Sequence, residues 1–469
     1  MPCSMPPELS AAANRALRAL LPPQRLLLDP ADRLAYGYDN SRRVALPDAV
    51  ALVDNADEIQ ALIECCRTHA LPVIARGRGT NTTGATVPIH GGLVLSLERM
   101  NRILRISPGD RLLECEAGAI NADVQAAAGQ HRLFWAPDPT SAAFSTVGGN
   151  LACGSGGPRA VKYGTARDNV LGLQAITGAG ARIRTGCYTT KGVVGYDLTR
   201  LLIGSEGTLA VTTHATLKLL PLPETRRLLR AAYRDVASAA AAVARLMAQP
   251  ETPSALEFLD GDAVQLAQNH RDCGLPADCG ALLLIEADGS HAAIDQIVST
   301  IGAAASGVGL IELRTANGGE DADGLWAARK ALSPALRRLA PKKINEDVAA
   351  PVTRLPELIE GIRALSQRYG IRIVCFGHAG NGNIHVNLLA NPDEPTQMAA
   401  IEACLHDVFR LVLSLQGTLS GEHGIGIDKR EFVAWEIDPA TLGLMHQLRR
   451  SFDPAGILNP GKALPATTD

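Results

Sequence analysis

Aromatic residues make up only 4% of this 469-residue chain, and its formal net charge at pH 7 is −3. Proteins that bind nucleic acid commonly present a basic surface and aromatic platforms on which bases stack. The composition therefore gives no reason to expect a nucleic-acid partner. The length predicts two or three domains with an ample hydrophobic core.

The ten cysteines include the adjacent pair Cys65 and Cys66 but no C-x-x-C motif. This is neither a disulfide framework nor a zinc or iron–sulfur pattern, so we expect reduced thiols and a cytoplasmic location. No apolar run reaches the ~18 residues that indicate a transmembrane helix. The first residues also lack the basic-then-apolar order of a signal peptide. Peripheral association with the inner membrane is compatible with these absences.

The most distinctive stretch runs from Pro137 to Thr165 and contains six glycines. Glycine permits positive φ and a close approach of the backbone to a ligand, and successive N–H groups in such loops form anion sites. We predict that this stretch is the wall of a site for a large phosphate-bearing cofactor. The alternative, a solvated loop, would leave Phe144, Val147, Leu151 and Val161 facing water.

A second glycine-rich loop follows an apolar strand predicted at 73–75 and contains Gly77, Gly79 and Gly84. It does not match G-x-G-x-x-G, because the third glycine falls too late and no helical pattern follows. The loop can be interpreted in two ways that the sequence favours equally. Its backbone amides can hold a diphosphate, or it is a plain turn. The glycines around Glu206 likewise form either a turn or a second backbone approach to a ligand.

Two apolar strands joined by a glycine-rich turn are predicted within 371–389. His378 ends the first strand. His385 and Asn387 lie two residues apart on the second strand and therefore share a face. One histidine in such a position is usually an ordinary core or capping residue, but two across a hairpin favour a functional site.

The loop 417–426, predicted to follow a helix at 397–415, places Glu422 and His423 among glycines. Two imidazoles and a carboxylate are a common set of ligands for a divalent metal with positions open for substrate. The two clusters together therefore indicate a metal site.

Arg329 and Ser333 are four residues apart, which places them on one face of a predicted helix. Arginine suits bidentate recognition of a carboxylate, although an arginine on a helix is often only solvated. Lys342, Lys343 and Asn345 follow at the start of a strand-like segment, where lysines usually face solvent.

The sequence pattern changes near the two prolines of residues 221–223, and we interpret this position as a domain boundary. Strands then alternate with helices. This rhythm predicts a small antiparallel sheet with helices on one face.

These motifs together resemble those of the FAD-linked oxidases of the vanillyl-alcohol-oxidase/PCMH type. They are most similar to the branch of D-lactate, glycolate and D-2-hydroxyglutarate dehydrogenases, over nearly the whole chain. R-G-R-G-T-N-T-T-G (76–84) resembles the pyrophosphate loop of that family. P-D-P-T-S to Y-G (137–164) and I-G-S-E-G-T-L (203–209) resemble its flavin-binding segments. Residues 377–387 and 421–426 resemble the metal and substrate motifs of that family. Residues 452–462 resemble its C-terminal signature.

The resemblance implies an α+β fold with a PCMH-type FAD-binding domain of two α+β subdomains at 1–221. It implies a substrate or cap domain at 222–430, with an antiparallel sheet covered by helices and carrying the metal site. Residues 431–469 are expected to pack back on the FAD domain. Asn381 stands where relatives usually carry Asp, and we expect little effect because the turn accepts either residue. The loop 76–84 contains no histidine for covalent attachment, so non-covalent FAD is expected.

The resemblance also implies roles for individual residues. The expected metal ligands, for Zn²⁺ or a similar ion, are His378, His385 and Glu422. The expected substrate-binding residues are Arg329, Ser333, Lys343, Asn387 and His423, and His423 is also the expected catalytic base. The expected FAD-binding residues are Arg76, Gly77, Arg78, Gly79, Thr80, Asn81, Pro137, Asp138, Thr140, Ser141, Gly148, Gly149, Asn150, Ser155, Gly156, Tyr163, Gly164, Ile203, Glu206, Gly207 and Asn459.

The activity implied is oxidation of a small D-2-hydroxy acid, such as D-lactate or D-2-hydroxyglutarate, to the 2-oxo acid. Electrons would pass to a quinone, a cytochrome or an electron-transfer flavoprotein, and a homodimer is compatible with the resemblance. One alternative is the flavin subunit of a multi-subunit glycolate oxidase. A flavin-free metal-dependent hydrolase is another, but it gives the glycine-rich first half no purpose. A non-catalytic binding protein leaves the intact metal set unexplained.

Overall fold

The computed structural model describes residues 9–466, except 271, 317–318, 327–328, 330–331, 333–334 and 337 and the side chains of 320 and 323. The strands of the described chain are β1 (Leu26–Leu27), β2 (Ala49–Leu52), β3 (Val73–Arg76), β4 (Leu93–Ser96), β5 (Ile103–Ser107), β6 (Leu112–Glu116), β7 (Leu133–Phe134), β8 (Val170–Thr177), β9 (Arg182–Gly186), β10 (Ala210–Lys218), β11 (Leu220–Pro221), β12 (Thr225–Tyr233), β13 (Ala255–Asp260), β14 (Ala281–Gly289), β15 (Leu310–Thr315), β16 (Lys342–Ala349), β17 (Ile373–His378) and β18 (Asn383–Ala390).

The helices of the described chain are α1 (Ala11–Leu20), α2 (Pro30–Leu34), α3 (Ala56–Thr68), α4 (Asn121–Gly129), α5 (Val147–Cys153), α6 (Ala160–Tyr163), α7 (Leu198–Leu202), α8 (Val236–Ala248), α9 (Gly261–His270), α10 (Ile294–Ala305), α11 (Gly319–Leu325), α12 (Leu355–Tyr369), α13 (Pro395–Ser414), α14 (Val433–Glu436) and α15 (Pro439–Phe452). Short 3₁₀ helices span Pro23–Arg25, Val352–Arg354, Ala379–Asn381 and Arg430–Phe432.

The chain divides into two compact units. Unit one comprises Met1–Gly157, Gly164–Leu222 and Glu422–Asp469, and unit two comprises Pro158–Tyr163 and Pro223–Gly421. The mixed α+β architecture predicted from the sequence is confirmed. The functional assignment of the predicted domains 1–221, 222–430 and 431–469 stays a prediction.

One sheet of unit one has the order β1-β2-β4-β3, with β2, β4 and β3 parallel. Its parallel strands are short apolar runs, as is typical of strands buried on both faces. Helix α3 begins at the cap Asn55, whose side chain accepts from the backbone N–H of Glu58, and packs Ile59 and Leu62 into the same core. The loop 77–84 starts where β3 ends.

The other large sheet of unit one is antiparallel, in the order β5-β6-β10-β8-β9. The turn sequence Thr177-Gly178-Ala179-Gly180 predicts a hairpin, and the structure has one, because β8 and β9 are paired directly around that turn. The short strands β7 and β11 form a separate two-stranded ladder.

The glycine-rich stretch 137–165 is not all loop, because α5 and α6 lie within it. Thr146 caps α5 by accepting the backbone N–H of Gly149 at 3.1 Å, and Gly154, at φ 73°, ends the helix. Glycine is required at 148, since a Cβ there would lie 2.7 Å from the Cβ of Ala117. Four apolar residues of this stretch were expected to be covered. Val147 and Leu151 are buried, whereas Phe144 is 70% exposed.

Unit two is built on a seven-stranded antiparallel sheet in the order β15-β12-β14-β13-β17-β18-β16. The antiparallel sheet was predicted, but the expectation that helices cover only one face is wrong. Ala263 and Val264 of α9 pack with Leu282 of the sheet. On the other face, the Tyr233 hydroxyl donates to the carbonyl of Ala305 in α10 at 2.6 Å. The long strands therefore bury apolar residues on both sides.

Asp260 at the end of β13 is a buried carboxylate that accepts the backbone N–H of Ala263 at 2.8 Å and that of Cys375 at 2.7 Å. Burial raises its pKa to about 7, against the hydrogen bonds that lower it. The unfolded chain therefore releases this proton near pH 4, while the folded chain keeps it until near pH 7.

We expect the Asp260 contribution to stability to be present below about pH 4 and to be lost as the pH rises to about 7, since the folded state then binds the extra proton. Each unit of pKa difference between the folded and unfolded states changes the free energy of unfolding by about 1.4 kcal/mol. Thermal unfolding of wild type and Asp260→Asn at pH 4.5, 6.0 and 7.5 checks this. The melting temperature of the variant should fall less over this range. Parallel curves for the two proteins would contradict the assignment.

Candidate active site

Strand pairing in unit two brings four ionisable side chains to one face of the sheet. His378 of β17 lies opposite Glu257 of β13, and His385 of β18 lies opposite Asp347 of β16. His385 also lies opposite Phe376 of β17, two residues before His378. Directly opposed residues of antiparallel strands point to the same face, so the two histidines and the two carboxylates share it.

Glu257 is the centre of the first charged cluster. It is fully buried; Nδ1 of His378 donates to its Oε1, and Nε of Arg329 donates to its Oε2 at 2.9 Å. Burial alone would raise the pKa of Glu257, but the charges and hydrogen bonds of His378 and Arg329 hold that pKa well below its usual range. Glu257 is therefore an anion shared by an imidazole and a guanidinium.

His385 has the same kind of partner. Its Nδ1 lies 3.5 Å from Oδ1 of Asp347, which is fully buried. Asp347 is oriented by the side chain of Asn383, whose Nδ2 donates to Oδ1 at 2.6 Å, and the Asp347 backbone carbonyl accepts the N–H of Gly421 at 3.2 Å. The carboxylate is thus held in place on the strand opposite the imidazole.

The two imidazoles are neighbours in an edge-to-face arrangement, with an interplanar angle of 85°. The ring centroids of His378 and His385 are 5.2 Å apart, and a ring nitrogen of one lies within 4.8 Å of a ring nitrogen of the other. A histidine that ligates a metal usually donates its other N–H to a carboxylate, which sets the tautomer and makes the ring more basic. Since Nδ1 of His378 donates to Glu257, Nε2 of that ring is the nitrogen suited to a metal ion. This part of the site fits a divalent cation.

Glu257 and Asp347 were missed by the sequence analysis. The available signal was a single glutamate in the apolar run 255–259 and the acidic pair 346–347 in a strand-like segment. A charge is rarely buried without a partner, so these carboxylates could have been flagged. Their partners could not have been named, because they come from strands distant in sequence.

The other predicted substrate residues of unit two are spread along the same face. The guanidinium carbon of Arg329 lies 4.7 Å from the ring centroid of Phe376. Lys343 and Asn387 share the face because they alternate with Asp347 and His385 along β16 and β18. Ser333 lies outside the described residues.

Three glycine-rich segments predicted to bind a cofactor converge in unit one. A Cβ at Gly77 would overlap Oγ1 of Thr146, the cap of α5. A Cβ at Gly154, just after α5, would lie 3.7 Å from the Cα of Gly204. Loop 77–84, the stretch 137–157 and the segment 203–209 therefore line one region, although they are far apart in sequence.

Two buried polar atoms in that region have no hydrogen-bond partner in the part of the chain that the structure describes. They are Oγ of Ser145 and Nδ2 of Asn150. An unpaired buried polar group costs free energy. A polar cofactor lying along α5 would satisfy both atoms.

Asn81 organises the loop that follows β3. Its Oδ1 accepts the N–H and hydroxyl of Thr83 at 2.8 and 2.9 Å and the N–H of Ala85 at 3.1 Å. Its Nδ2 donates to the backbone carbonyl of His423 at 3.0 Å. The guanidinium of Arg76 is directed inward, to the carbonyl of Tyr38 at 2.8 Å. These side chains shape the loop, and its backbone presents the N–H groups.

Glu206 and Asn459 both have left-handed backbone conformations, at φ 51° and 40°, which are uncommon for non-glycine residues. The Glu206 carboxylate accepts the N–H of Gly426 at 2.8 Å, and its carbonyl accepts from Nδ2 of Asn459 at 2.7 Å. Lys462 donates to Oδ1 of Asn459 at 2.6 Å, and burial lowers the pKa of Lys462 to about 8. The predicted flavin residues Glu206 and Asn459 thus join three distant segments of unit one.

The remaining predicted cofactor residues are placed as follows. Arg76 ends β3, and Gly77, Arg78, Gly79, Thr80 and Asn81 form the loop after it. Pro137, Asp138, Thr140 and Ser141 precede α5; Gly148, Gly149 and Asn150 lie in it; Ser155 and Gly156 follow it. Ile203 and Gly207 flank Glu206, and Gly164 follows α6. Tyr163 belongs to unit two, where its hydroxyl donates to Asp288 at 2.7 Å.

Sequence families match both halves of the chain. Residues 47–186 match the FAD binding domain, and residues 222–463 match the C-terminal domain of FAD linked oxidases. The chain belongs to the FAD-linked oxidase family. This FAD-linked oxidase is therefore an FAD-dependent oxidoreductase, and the predicted family resemblance is confirmed.

Several relatives match this FAD-linked oxidase over most of its length. The protein named glycolate oxidase subunit GlcD from Bacillus subtilis is 38% identical over 92% of each chain. The protein named D-lactate dehydrogenase from Anaerostipes hadrus is 31% identical, over 89% of this chain and 90% of the relative. The protein named D-2-hydroxyglutarate dehydrogenase from Stutzerimonas stutzeri is 30% identical, over 96% and 98%.

A solved structure of p-cresol methylhydroxylase with bound substrate has the same fold. It superposes with a TM-score of 0.81 over 99% of each chain at 15% sequence identity. At this identity the likeness supports the fold alone, and it confirms the PCMH-type architecture. Within the described residues of this FAD-linked oxidase, no helix has the length and apolar content needed to cross a bilayer.

Proposed function

We propose that this FAD-linked oxidase oxidises a D-2-hydroxy acid to the 2-oxo acid and passes the electrons to an acceptor other than NAD. The observation that carries the proposal is the pair His378 and His385, each backed by a buried carboxylate. The names of three relatives, which refer to glycolate, D-lactate and D-2-hydroxyglutarate, support the substrate class. The family assignment leaves the flavin-free hydrolase without support.

FAD, bound non-covalently along the glycine-rich segments of unit one, would supply the hydride acceptor. The fit is supported by the unpartnered Ser145 and Asn150 atoms in the described structure and by the close approach of Gly77 to Thr146. The predicted FAD residues remain part of this proposal. So do the domain roles, with 1–221 and 431–469 for the cofactor and 222–430 for the substrate.

A divalent cation, Zn²⁺ or a similar ion, would be held by His378, His385 and Glu422 and would lower the pKa of the substrate hydroxyl. Glu257 and Asp347 support this set, because the loss of a carboxylate beside a metal-ligating imidazole typically costs about 10- to 100-fold in metal affinity or activity. Glu422 directly follows Gly421, whose backbone N–H is bonded to Asp347.

The remaining side chains have separate tasks in the proposal. Arg329 would bind the substrate carboxylate through its Nη atoms, since Nε engages Glu257. His423 would take the proton from the substrate hydroxyl as general base. Asn387 would contact the substrate, as would Lys343 and Ser333.

The proposal also includes an electron acceptor, a cellular location and an oligomeric state. The acceptor would be a quinone, a cytochrome or an electron-transfer flavoprotein, and the protein would be cytoplasmic or peripheral at the inner membrane, as a homodimer. A second candidate is the flavin subunit of a multi-subunit glycolate oxidase. The 38% identity to a protein named as a subunit favours it. Co-purification of further chains with the native protein would support this second candidate.

The proposal is tested with a panel of D- and L-2-hydroxy acids and an artificial electron acceptor, following bleaching of the bound flavin. We expect a D-2-hydroxy acid to bleach the flavin and to be turned over, and its L-enantiomer to be inactive. A yellow protein that no member of the panel reduces would refute the assignment.

Metal removal is expected to separate colour from activity. After exhaustive chelation, turnover should fall at least about tenfold, since a Lewis acid supplies several kcal/mol of charge stabilisation, while the flavin spectrum remains. Added Zn²⁺ should restore the rate. A metal-free sample, verified by elemental analysis, that keeps full turnover would remove the metal from the mechanism.

A further inference from the structure

The side chain of Asn387 is oriented by the strands around it. It is fully buried, and its Nδ2 donates to the backbone carbonyls of Val374 at 3.1 Å and His385 at 3.0 Å. These two bonds identify which end of the amide is the nitrogen. The opposite end, Oδ1, has no hydrogen-bond partner among the described residues.

Asn345 presents a second oxygen of the same kind. It lies directly opposite Asn387 across the β16–β18 pair, two residues from Asp347, and its Oδ1 is also buried without a described partner. Side chains opposed in this way have Cβ atoms about 4.5–5.5 Å apart. Two asparagines, each with a buried neutral acceptor oxygen, are therefore neighbours on the face that carries His385.

Such a pair is costly unless a ligand donates to it. A buried acceptor left unsatisfied costs about 1–3 kcal/mol. A carboxylate would bring a third set of acceptors and be repelled, whereas hydroxyl groups would donate. Val374, which lies opposite Asn387 on the other side, gives an apolar wall.

We propose that Asn345 and Asn387 form a subsite for additional hydroxyl groups of the substrate, so that the enzyme prefers a polyhydroxylated 2-hydroxy acid. This inference rests on the proposed function and deepens it. It assigns a specificity-determining role to Asn345. Lys343 lies two residues away on the same face and favours the competing choice, a second carboxylate.

The test compares kcat/KM for D-glycerate, D-lactate and D-malate in wild type and Asn345→Leu. D-glycerate differs from D-lactate by one hydroxyl, and D-malate carries a second carboxylate. We expect wild type to prefer D-glycerate over D-lactate by at least roughly tenfold, because a site built to bind a hydroxyl discriminates against its absence. In Asn345→Leu the ratio should fall to near one, with kcat/KM for D-lactate changed by less than about threefold.

Ile344→Val provides the matched control. Ile344 is on the same strand with its side chain on the opposite face, so the variant should keep the wild-type ratio of kcat/KM for D-glycerate over D-lactate.

Several outcomes would overturn the subsite. One is a wild-type ratio near one, which would result if buried water satisfied both oxygens. A preference for D-malate, or an equal loss for all three acids in Asn345→Leu, also overturns it. If no 2-hydroxy acid bleaches the flavin, the proposed function is wrong and the subsite falls with it. If D-lactate is turned over and D-glycerate is not preferred, the subsite is wrong but the proposed function stands.

Discussion

Replacing His423 with alanine is expected to lower kcat by roughly a hundredfold or more, the usual contribution of a positioned general base. In the proposed function His423 takes the proton of the substrate hydroxyl. The backbone at this position is held independently of the side chain, because the His423 carbonyl accepts from Nδ2 of Asn81 at 3.0 Å. The next residues are held by Glu206, which accepts the N–H of Gly426.

The truncation should therefore remove the imidazole without displacing its loop. Steady-state kinetics with the best acid of the panel measure kcat, and the absorption spectrum of the purified protein reports bound flavin. His131→Ala is the matched control, since His131 is an exposed histidine of the same unit. A His423→Ala enzyme with near-wild-type kcat would exclude this residue as the base. Loss of flavin colour in the variant would instead point to a role in cofactor binding.

Replacing Glu257 with alanine is expected to destabilise unit two by about 3–5 kcal/mol, the usual cost of removing one partner of a buried ion pair. Glu257 is fully buried and pairs with both Arg329 and His378. Without it, the Arg329 guanidinium, whose side chain is only 19% exposed, keeps its charge but loses the carboxylate that the described structure pairs with it. Glu257 has two partners, an imidazole and a guanidinium, so the loss of stability should exceed that of an ordinary core substitution.

The change is measured as the shift in the denaturant midpoint of unfolding. Glu360→Ala is the comparison, because Glu360 is a 72% exposed carboxylate 3.9 Å from Arg363, and exposed pairs contribute about 0–1 kcal/mol. Glu257→Gln keeps the shape and should fall between the two. If Glu257→Ala and Glu360→Ala unfold at the same denaturant concentration, the buried triad does not stabilise the protein.

Local pattern was sufficient for much of the fold. The apolar run predicted as a strand at 73–75 lies within β3, and the hairpin after Thr177 depends on its turn residues. The helix predicted at 397–415 corresponds to α13. The stretch 137–165 was harder, because its glycines obscured α5, a helix stabilised by the Thr146 cap and by packing on Ala117. Helices on both faces of the sheet of unit two were also missed, since periodicity does not say which face a helix covers.

The sequence by itself determined the glycine-rich segments, the histidine pair 378 and 385, and the family to which the chain belongs. Only the tertiary structure decided that His378 pairs with Glu257, that His385 pairs with Asp347, and that Asn345 lies opposite Asn387. The reason is physical. Residue type and spacing set local conformation, but the partner of a buried charge is chosen by strand register, and Glu257 is 121 residues from His378 along the chain.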